Sequence, residues 1–176
     1  MLSIRELSAT DIPLIADYWL LSPPAFLEGM GVDLAKLPAR NDLEQMLAAQ
    51  LPQAYDQKNA YCLIWERDGE AVGHCNVNKI HFGKEAYMHL HLWQNATRQL
   101  GMGTQLVRMS LPYFFHNLLL QQLCCEPYAL NPAPNKTLAR VGFSFVREYV
   151  TTPGYLNFEQ PVSHWVMSRE QFMALP

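Results

Sequence analysis

The chain has 176 residues, almost half of them hydrophobic (49%) and 16% charged, with a formal net charge of −3. That balance excludes a disordered chain and suits one domain with a sizeable core. It gives no electrostatic reason to expect a nucleic-acid partner, and no uninterrupted apolar run approaches the ~20 residues that span a bilayer.

Cys62, Cys75, Cys124 and Cys125 show no C-x-x-C spacing and read as buried, reduced thiols, which points to the cytoplasm. The charged start MLSIRELSATDIP has no apolar stretch of a secretion signal, and no metal site is expected. Leu2–Leu7 alternates as a first strand. Ser8 to Asp11 offer helix caps before Ile15, Ala16, Tyr18, Trp19 and Leu20, with Pro13 in the first turn. Ser22-Pro-Pro stops that helix. The stretch 25–57 reads as mainly helical, with Asn41 or Asp42 capping Leu43–Leu51. Strands Ala60–Arg67 and Ala71–Lys79 are joined by Asp68-Gly69, a strong hairpin signal. In the second of them His74, Asn76 and Asn78 share a face, which is either solvent or the lining of a cleft. Cys75 and Val77 on the other face suit the core and favour the cleft.

The stretch Glu85–Ser110 organises the chain. Tyr87, His89, His91 and Trp93 alternate with Met88, Leu90 and Leu92, which places a strand inside a sheet. Arg98-Gln99-Leu100-Gly101-Met102-Gly103-Thr104 follows, and then a helical pattern to Leu120 in which Pro112 predicts a kink or early break. A strand feeding a glycine loop into a helix start aims free backbone N–H groups at one point, which suits a phosphate. The loop lacks the Lys of a P-loop and has too few glycines for a dinucleotide fingerprint. Gln121–Pro127 is the next strand. A loop from Asn131 leads through a short helix to Gly142-Phe143 and a further strand, and Val162–Met167 completes the sheet.

The pattern [RQ]-x-x-G-x-[GA] at Arg98–Gly103 resembles the pyrophosphate loop of the GCN5-related N-acetyltransferases. The Asn-containing loop and the helix ending in Gly142-Phe143 add to the likeness, whose order and spacing run from about residue 3 to 168. It implies a single-domain α/β fold, with a mixed, mostly antiparallel sheet flanked by helices. It also implies an enzyme that uses acetyl-CoA as co-substrate and an amine acceptor, a small molecule, a protein N-terminus or a lysine, by direct attack in a ternary complex. The siderophore hydroxylamine and ribosomal-protein acetyltransferases are the branches it looks most like. By this resemblance, backbone amides of Arg98, Gln99, Leu100, Gly101, Met102, Gly103 and Thr104 hold the pyrophosphate. Backbone groups of His91, Leu92 and Trp93 pair with pantetheine; Asn131 and Asn135 contact that arm or position the loop, and Lys136 lies near the phosphates. Trp19, Phe26, Met30 and Tyr55 are candidates for the acceptor wall.

Catalysis requires the acceptor amine to lose a proton and the thiolate to gain one. A family class carries a glutamate where this chain has Tyr87. His89, then His91, are the candidate bases, since an imidazole near pKa ~6.5 suits proton transfer at neutral pH; a histidine hydrogen-bonded in the sheet is the alternative for each. The tyrosine acid of many relatives is Leu138 here, which leaves Tyr128 as acid or orienting group and Glu126 as amine binder. Two other classes stay open: a non-catalytic acyl-CoA sensor that has lost the acid, and a nucleotide-phosphate module. Tyr155, Phe158 and Trp165 suit either a homodimer interface or the core.

Overall fold

The computed structural model describes residues 1–93 and 101–176, and the Arg98, Gln99 and Leu100 expectations lie outside the described residues. Seven strands form one sheet: β1 (Leu2–Glu6), β2 (Tyr61–Arg67), β3 (Glu70–His81), β4 (Glu85–Leu92), β5 (Gln122–Cys125), β6 (Ser144–Thr151) and β7 (Gln160–Ser168). Their order is β1-β2-β3-β4-β5-β7-β6, and every pairing is antiparallel except β4 with β5. The helices are α1 (Ile12–Leu21), α2 (Pro24–Gly29), α3 (Arg40–Ala49), α4 (Met102–Pro112), α5 (Pro132–Val141) and α6 (Arg169–Met173). Among the described residues no helix is long and apolar enough to cross a membrane.

Alternation along β2 builds two cores at once. Tyr61, Leu63 and Trp65 join Cys75, Val77 and Met88 under Leu106, Val107 and Leu111 of α4. Cys62 and Ile64, on the opposite face, join Ile12, Ile15 and Ala16 of α1 and Leu43 and Leu47 of α3. The Trp65 indole, fully buried, donates to Ser110 Oγ at 2.9 Å, so its one polar atom is satisfied within the core. The Asp68-Gly69 turn has positive φ at both residues (54° and 85°), the two-residue hairpin its sequence predicts. All four cysteines are buried and unpaired.

Two local differences have clear causes. The third helix starts at Arg40 with Ala39 before it, so Asn41 and Asp42 lie in its first turn and do not cap it. The helix thus starts two or three residues early, and Arg40 in its first turn reaches Asp17 of α1 at 2.5 Å and Glu44 at 3.2 Å. Pro112 ends the α-helical winding, and Tyr113–Asn117 continues as a wider π turn. The missing Pro112 N–H leaves a gap in the hydrogen-bond ladder that the wider turn absorbs.

Beneath the first helix, Arg5 makes a bidentate pair with Asp11 at 2.6 and 2.8 Å and also holds Glu66 at 2.7 Å. Burial works to raise the Asp11 carboxyl, but hydrogen bonds from Arg5 and Ser8 outweigh it and hold it at about 2.

Candidate active site

The parallel pair is where the sheet opens. Strands β4 and β5 are in register only at Glu85↔Gln122, Ala86↔Leu123 and Tyr87↔Cys124. Beyond Tyr87, β4 continues to Leu92 paired, among the described residues, with β3 alone, up to Gly73↔Leu92. The Trp93 N–H donates to the Val72 carbonyl at 2.7 Å, across to β3. The His91 carbonyl also faces β3, where a Cβ on Gly73 would lie 2.4 Å from its oxygen. Antiparallel alternation then turns the backbone of Leu90 and Leu92 the other way, into the gap. Within the expected His91–Trp93 stretch, it is therefore Leu92 that offers its backbone there, together with Leu90.

After the loop, α4 begins at Met102. Gly101 precedes it with φ 93°, a left-handed conformation that a side chain adopts only with strain. The first N–H groups of the helix, at Met102, Gly103 and Thr104, have no intrahelical partners and carry the positive end of the dipole. A Cβ on Gly103 would lie 3.9 Å from Thr137 Oγ1, so the first turn of α4 sits beside α5. Asn131 caps α5 through its side chain, which accepts from the Ala133 N–H. Asn135 donates to the carbonyls of Tyr128 (3.1 Å) and Asn131 (2.8 Å) and accepts from the Trp165 indole (2.8 Å). Its amide is thus used at both ends to fix the loop, while Lys136 is exposed on the next position. Leu138, fully buried, belongs to the core.

A cavity of about 510 Å³ begins at this gap, where Met88, Leu90 and Cys125 line it, and reaches the polar face of β3 and β4. His74, Asn76 and Asn78 line it, so that face belongs to a cleft. His89 Nε2 pairs with Asn78 Oδ1 at 3.1 Å, which makes Nε2 the protonated nitrogen of a neutral ring. Burial, reinforced by the Lys79 charge and opposed by Glu126, lowers the His89 pKa to about 4.

His91 belongs to a partly buried aromatic stack. Its ring lies 4.6 Å from that of His74 at an interplanar angle of 21°, and Trp19 meets it edge-on at 4.9 Å. Tyr18 Oη pairs with His91 Nδ1 at 3.1 Å, and the Trp93 indole donates to His74 Nδ1 at 2.8 Å. Burial lowers the His74 pKa to about 3 and the His91 pKa well below its ordinary value, each further depressed by a neighbouring histidine. Both rings are neutral.

Glu126 sits across the cavity. Its Oε1 accepts from His164 Nδ1 at 2.8 Å and from the Tyr149 hydroxyl. Its Oε2 takes no hydrogen bond among the described residues. Burial, then the Glu126 hydrogen bond, pushes the Tyr149 hydroxyl up to about 12, so it stays a donor. Tyr128 lines the cavity beside Glu126, bridged to Val162 and edge-on to Phe158 at 5.8 Å. Of the expected acceptor wall, Trp19 and Met30 line the cavity. Tyr55 instead donates to Glu6 at 2.6 Å, and Phe26 packs against Tyr18. Tyr155 is 57% exposed, whereas Trp165 is engaged by Asn135. Among the described residues no group of three or more His, Cys, Asp or Glu side chains is arranged to hold a metal ion.

Sequence reasoning missed Tyr18, Tyr149 and the use made of His164. Each lies far along the chain from the residue it serves, and no local motif marks it. For His164 a signal existed in strand alternation, because it and Tyr149 face the same side on adjacent strands.

The family model for an acetyltransferase (GNAT) domain matches residues 1–144. The chain belongs to the GNAT acetyltransferases. It is an acetyl-CoA-dependent N-acetyltransferase acting on amines. No curated protein matches this acetyltransferase in sequence. Several solved structures share its fold. A spermidine N-acetyltransferase from Vibrio cholerae in complex with CoA and spermine is 15% identical with a TM-score of 0.78, covering 98% of each chain. RimL, a ribosomal-protein α-N-acetyltransferase in complex with CoA, is 16% identical with a TM-score of 0.78, covering 97% of this acetyltransferase and 95% of RimL. An aminoglycoside acetyltransferase in complex with CoA and kanamycin is 15% identical with a TM-score of 0.74, covering 98% of each chain.

Proposed function

We propose that acetyl-CoA lies along the β4–β5 gap and that the acceptor amine enters the same cavity from the side of α1 and α3. The observation that carries this is one continuous cavity lined both by the gap residues Met88, Leu90 and Cys125 and by His89, His91 and Glu126. The residues present fit the donor. The backbones of Leu90 and Leu92 replace a missing strand for the amides of pantetheine, and Met102–Thr104 offer N–H groups to the pyrophosphate, joined by residues 98–101 of the loop. Asn131 and Asn135 hold the loop that borders the arm, and Lys136 supplies a positive charge beside it.

Bound acetyl-CoA supplies an activated acetyl thioester. The acceptor arrives as an ammonium and donates to Glu126 Oε2, the free oxygen of a carboxylate fixed by His164 and Tyr149. After it gives up one proton, its nitrogen attacks the thioester carbonyl carbon. A C–N bond forms, the C–S bond breaks, and the nitrogen loses its second proton as the thiolate gains one. The net release is one proton per acetyl transferred. His89 orients the amine and passes its proton onward, since a ring with a pKa of about 4 is too weak a base to retain it at neutral pH. Tyr128, at the same wall, donates to the departing sulfur. His91, locked in its stack, shapes the site beneath them. Spermine, a ribosomal protein and kanamycin in the neighbours' names are all amine-bearing, which supports the amine class and leaves its members open.

The test is thermal unfolding with acetyl-CoA, CoA, ATP and NAD, followed by mass spectrometry of a mixed amine panel. Stabilisation by the two CoA species alone, with a product 42 Da heavier than its amine (roughly one acetyl replacing one hydrogen), is expected. No stabilisation by either CoA species would sink the reading.

A further inference from the structure

The charges that line the cavity define the kind of amine it accepts, an inference that rests on the acetyl-transfer reading above. Among the described residues that line it, Glu126 is the one carboxylate, and none is Asp, Lys or Arg. Two donors already occupy Glu126 Oε1, which leaves one oxygen and hence room for one ammonium. The three lining histidines, His74, His89 and His91, are neutral and packed with aromatic or amide partners.

Away from Glu126 the wall carries no charge: apolar side chains alternate with neutral amides such as Gln50, Gln53, Asn59, Asn157 and Gln160. Helix α3 contributes Leu43, Met46 and Leu47, the segment before it contributes Met30, and the loop between β6 and β7 contributes Tyr155 and Leu156. Nearby, the Lys58 ammonium donates to the carbonyl of Gln50, itself a lining residue, at 2.6 Å. A second ammonium carried in with the first would meet methionine, leucine and neutral amides, with a fixed cation close by and no carboxylate to pair with it. Such an unpaired charge is costly, whereas an alkyl or aryl body gains from the same surface.

We propose that the acceptor is a monoamine with an apolar body, one basic nitrogen on an alkyl or aryl-alkyl frame, and that polyamines and aminoglycosides are poor acceptors. Glu126 holds the single nitrogen, and the α3 wall covers the rest.

The experiment compares hexylamine with hexamethylenediamine, acceptors that share a carbon chain and differ in the far ammonium. Phenethylamine and spermidine form a second pair. Purified full-length protein, acetyl-CoA and a thiol-release assay give kcat/KM for each. The monoamine of each pair is expected to exceed its partner about tenfold, the scale of one missing charge-assisted contact. Met46→Glu, at a 46% exposed position of α3, places a carboxylate in the wall and is expected to bring the hexylamine pair towards parity. Diamine activity equal to or above the monoamine's in the wild type overturns the proposal, as does a Met46→Glu protein with an unchanged ratio. If acetyl-CoA stabilises the protein but no amine is acetylated, the transfer reading itself fails and this inference with it.

Discussion

His164 Nδ1 lies 2.8 Å from Glu126 Oε1, and the pair joins the middle of β7 to the residue that follows β5. Tyr149, from β6, donates to the same oxygen, so three separate chain segments fix one carboxylate. Glu126→Gln keeps the shape and removes the charge. Its kcat/KM for amines is expected to fall about 100-fold, the scale of a lost general-base or charge-assisted contact. Tyr149→Phe and His164→Ala leave the carboxylate but free it to turn, and each is expected to cost about tenfold in kcat/KM. A purely structural role predicts instead lower stability with an unchanged pH–rate profile, which measuring both quantities separates.

The cavity-lining histidines make the fold sensitive to acid. A histidine with a folded pKa below its unfolded value of about 6.5 takes up its proton only on unfolding, so stability falls as pH falls through ~6.5. The loss continues until the folded ring titrates, at about 4 for His89 and about 3 for His74. Each such histidine contributes up to about 1.4 kcal/mol per pH unit in that window. Urea unfolding between pH 7 and 4 checks this. His89→Gln should flatten the slope by about one proton; an unchanged slope would contradict the assignment.

The start of α4 is testable by one side chain. Gly101→Glu adds backbone strain at φ 93° and a negative charge where a pyrophosphate is expected. Wild type at about 100 Kd of acetyl-CoA gains about 2.7 kcal/mol, roughly 5–10 °C for a chain of this size. The variant is expected to gain almost nothing while unfolding cooperatively on its own.

Gly73→Ala probes the sheet under the site. The added Cβ would lie 2.4 Å from the His91 carbonyl oxygen and 3.1 Å from the Trp65 ring. Backbone on one side and a fully buried indole on the other leave nothing that yields cheaply. A loss of about 1–3 kcal/mol is expected by chemical denaturation, the usual cost of overpacking. Acetyl-CoA affinity should weaken too, because β4 must shift.

Much of this was legible in the sequence because it is local. Strand alternation in Tyr61–Trp65 and Tyr87–Trp93, the Asp68-Gly69 turn and the Gly142 helix end each act within a few residues. The same alternation placed His74, Asn76 and Asn78 on a cleft face. What was not legible depends on distant partners. Asn41 and Asp42 are good caps by propensity, but the helix starts at Arg40, whose side chain reaches Asp17 on another helix. Tyr55 has the size for a pocket wall, yet its hydroxyl is claimed by Glu6. The backbone turned into the gap depends on which residues of β4 bond to β3, a matter of register that side-chain patterning does not set. Glu126 was legible as an amine binder, but nothing beside it in the chain points to His164 and Tyr149 as its partners.

The divergence of β4 from β5 also bears on solubility. Unpaired N–H and C=O groups at the rim of a sheet invite strands from other molecules and so seed aggregation. Here the row at Leu90 and Leu92, unpaired on that side among the described residues, lies in the middle of the sheet, with β5 and β7 beyond it. A foreign strand would have to enter the fold to reach it. The surrounding strands thus withhold this strip of backbone from other copies of the protein.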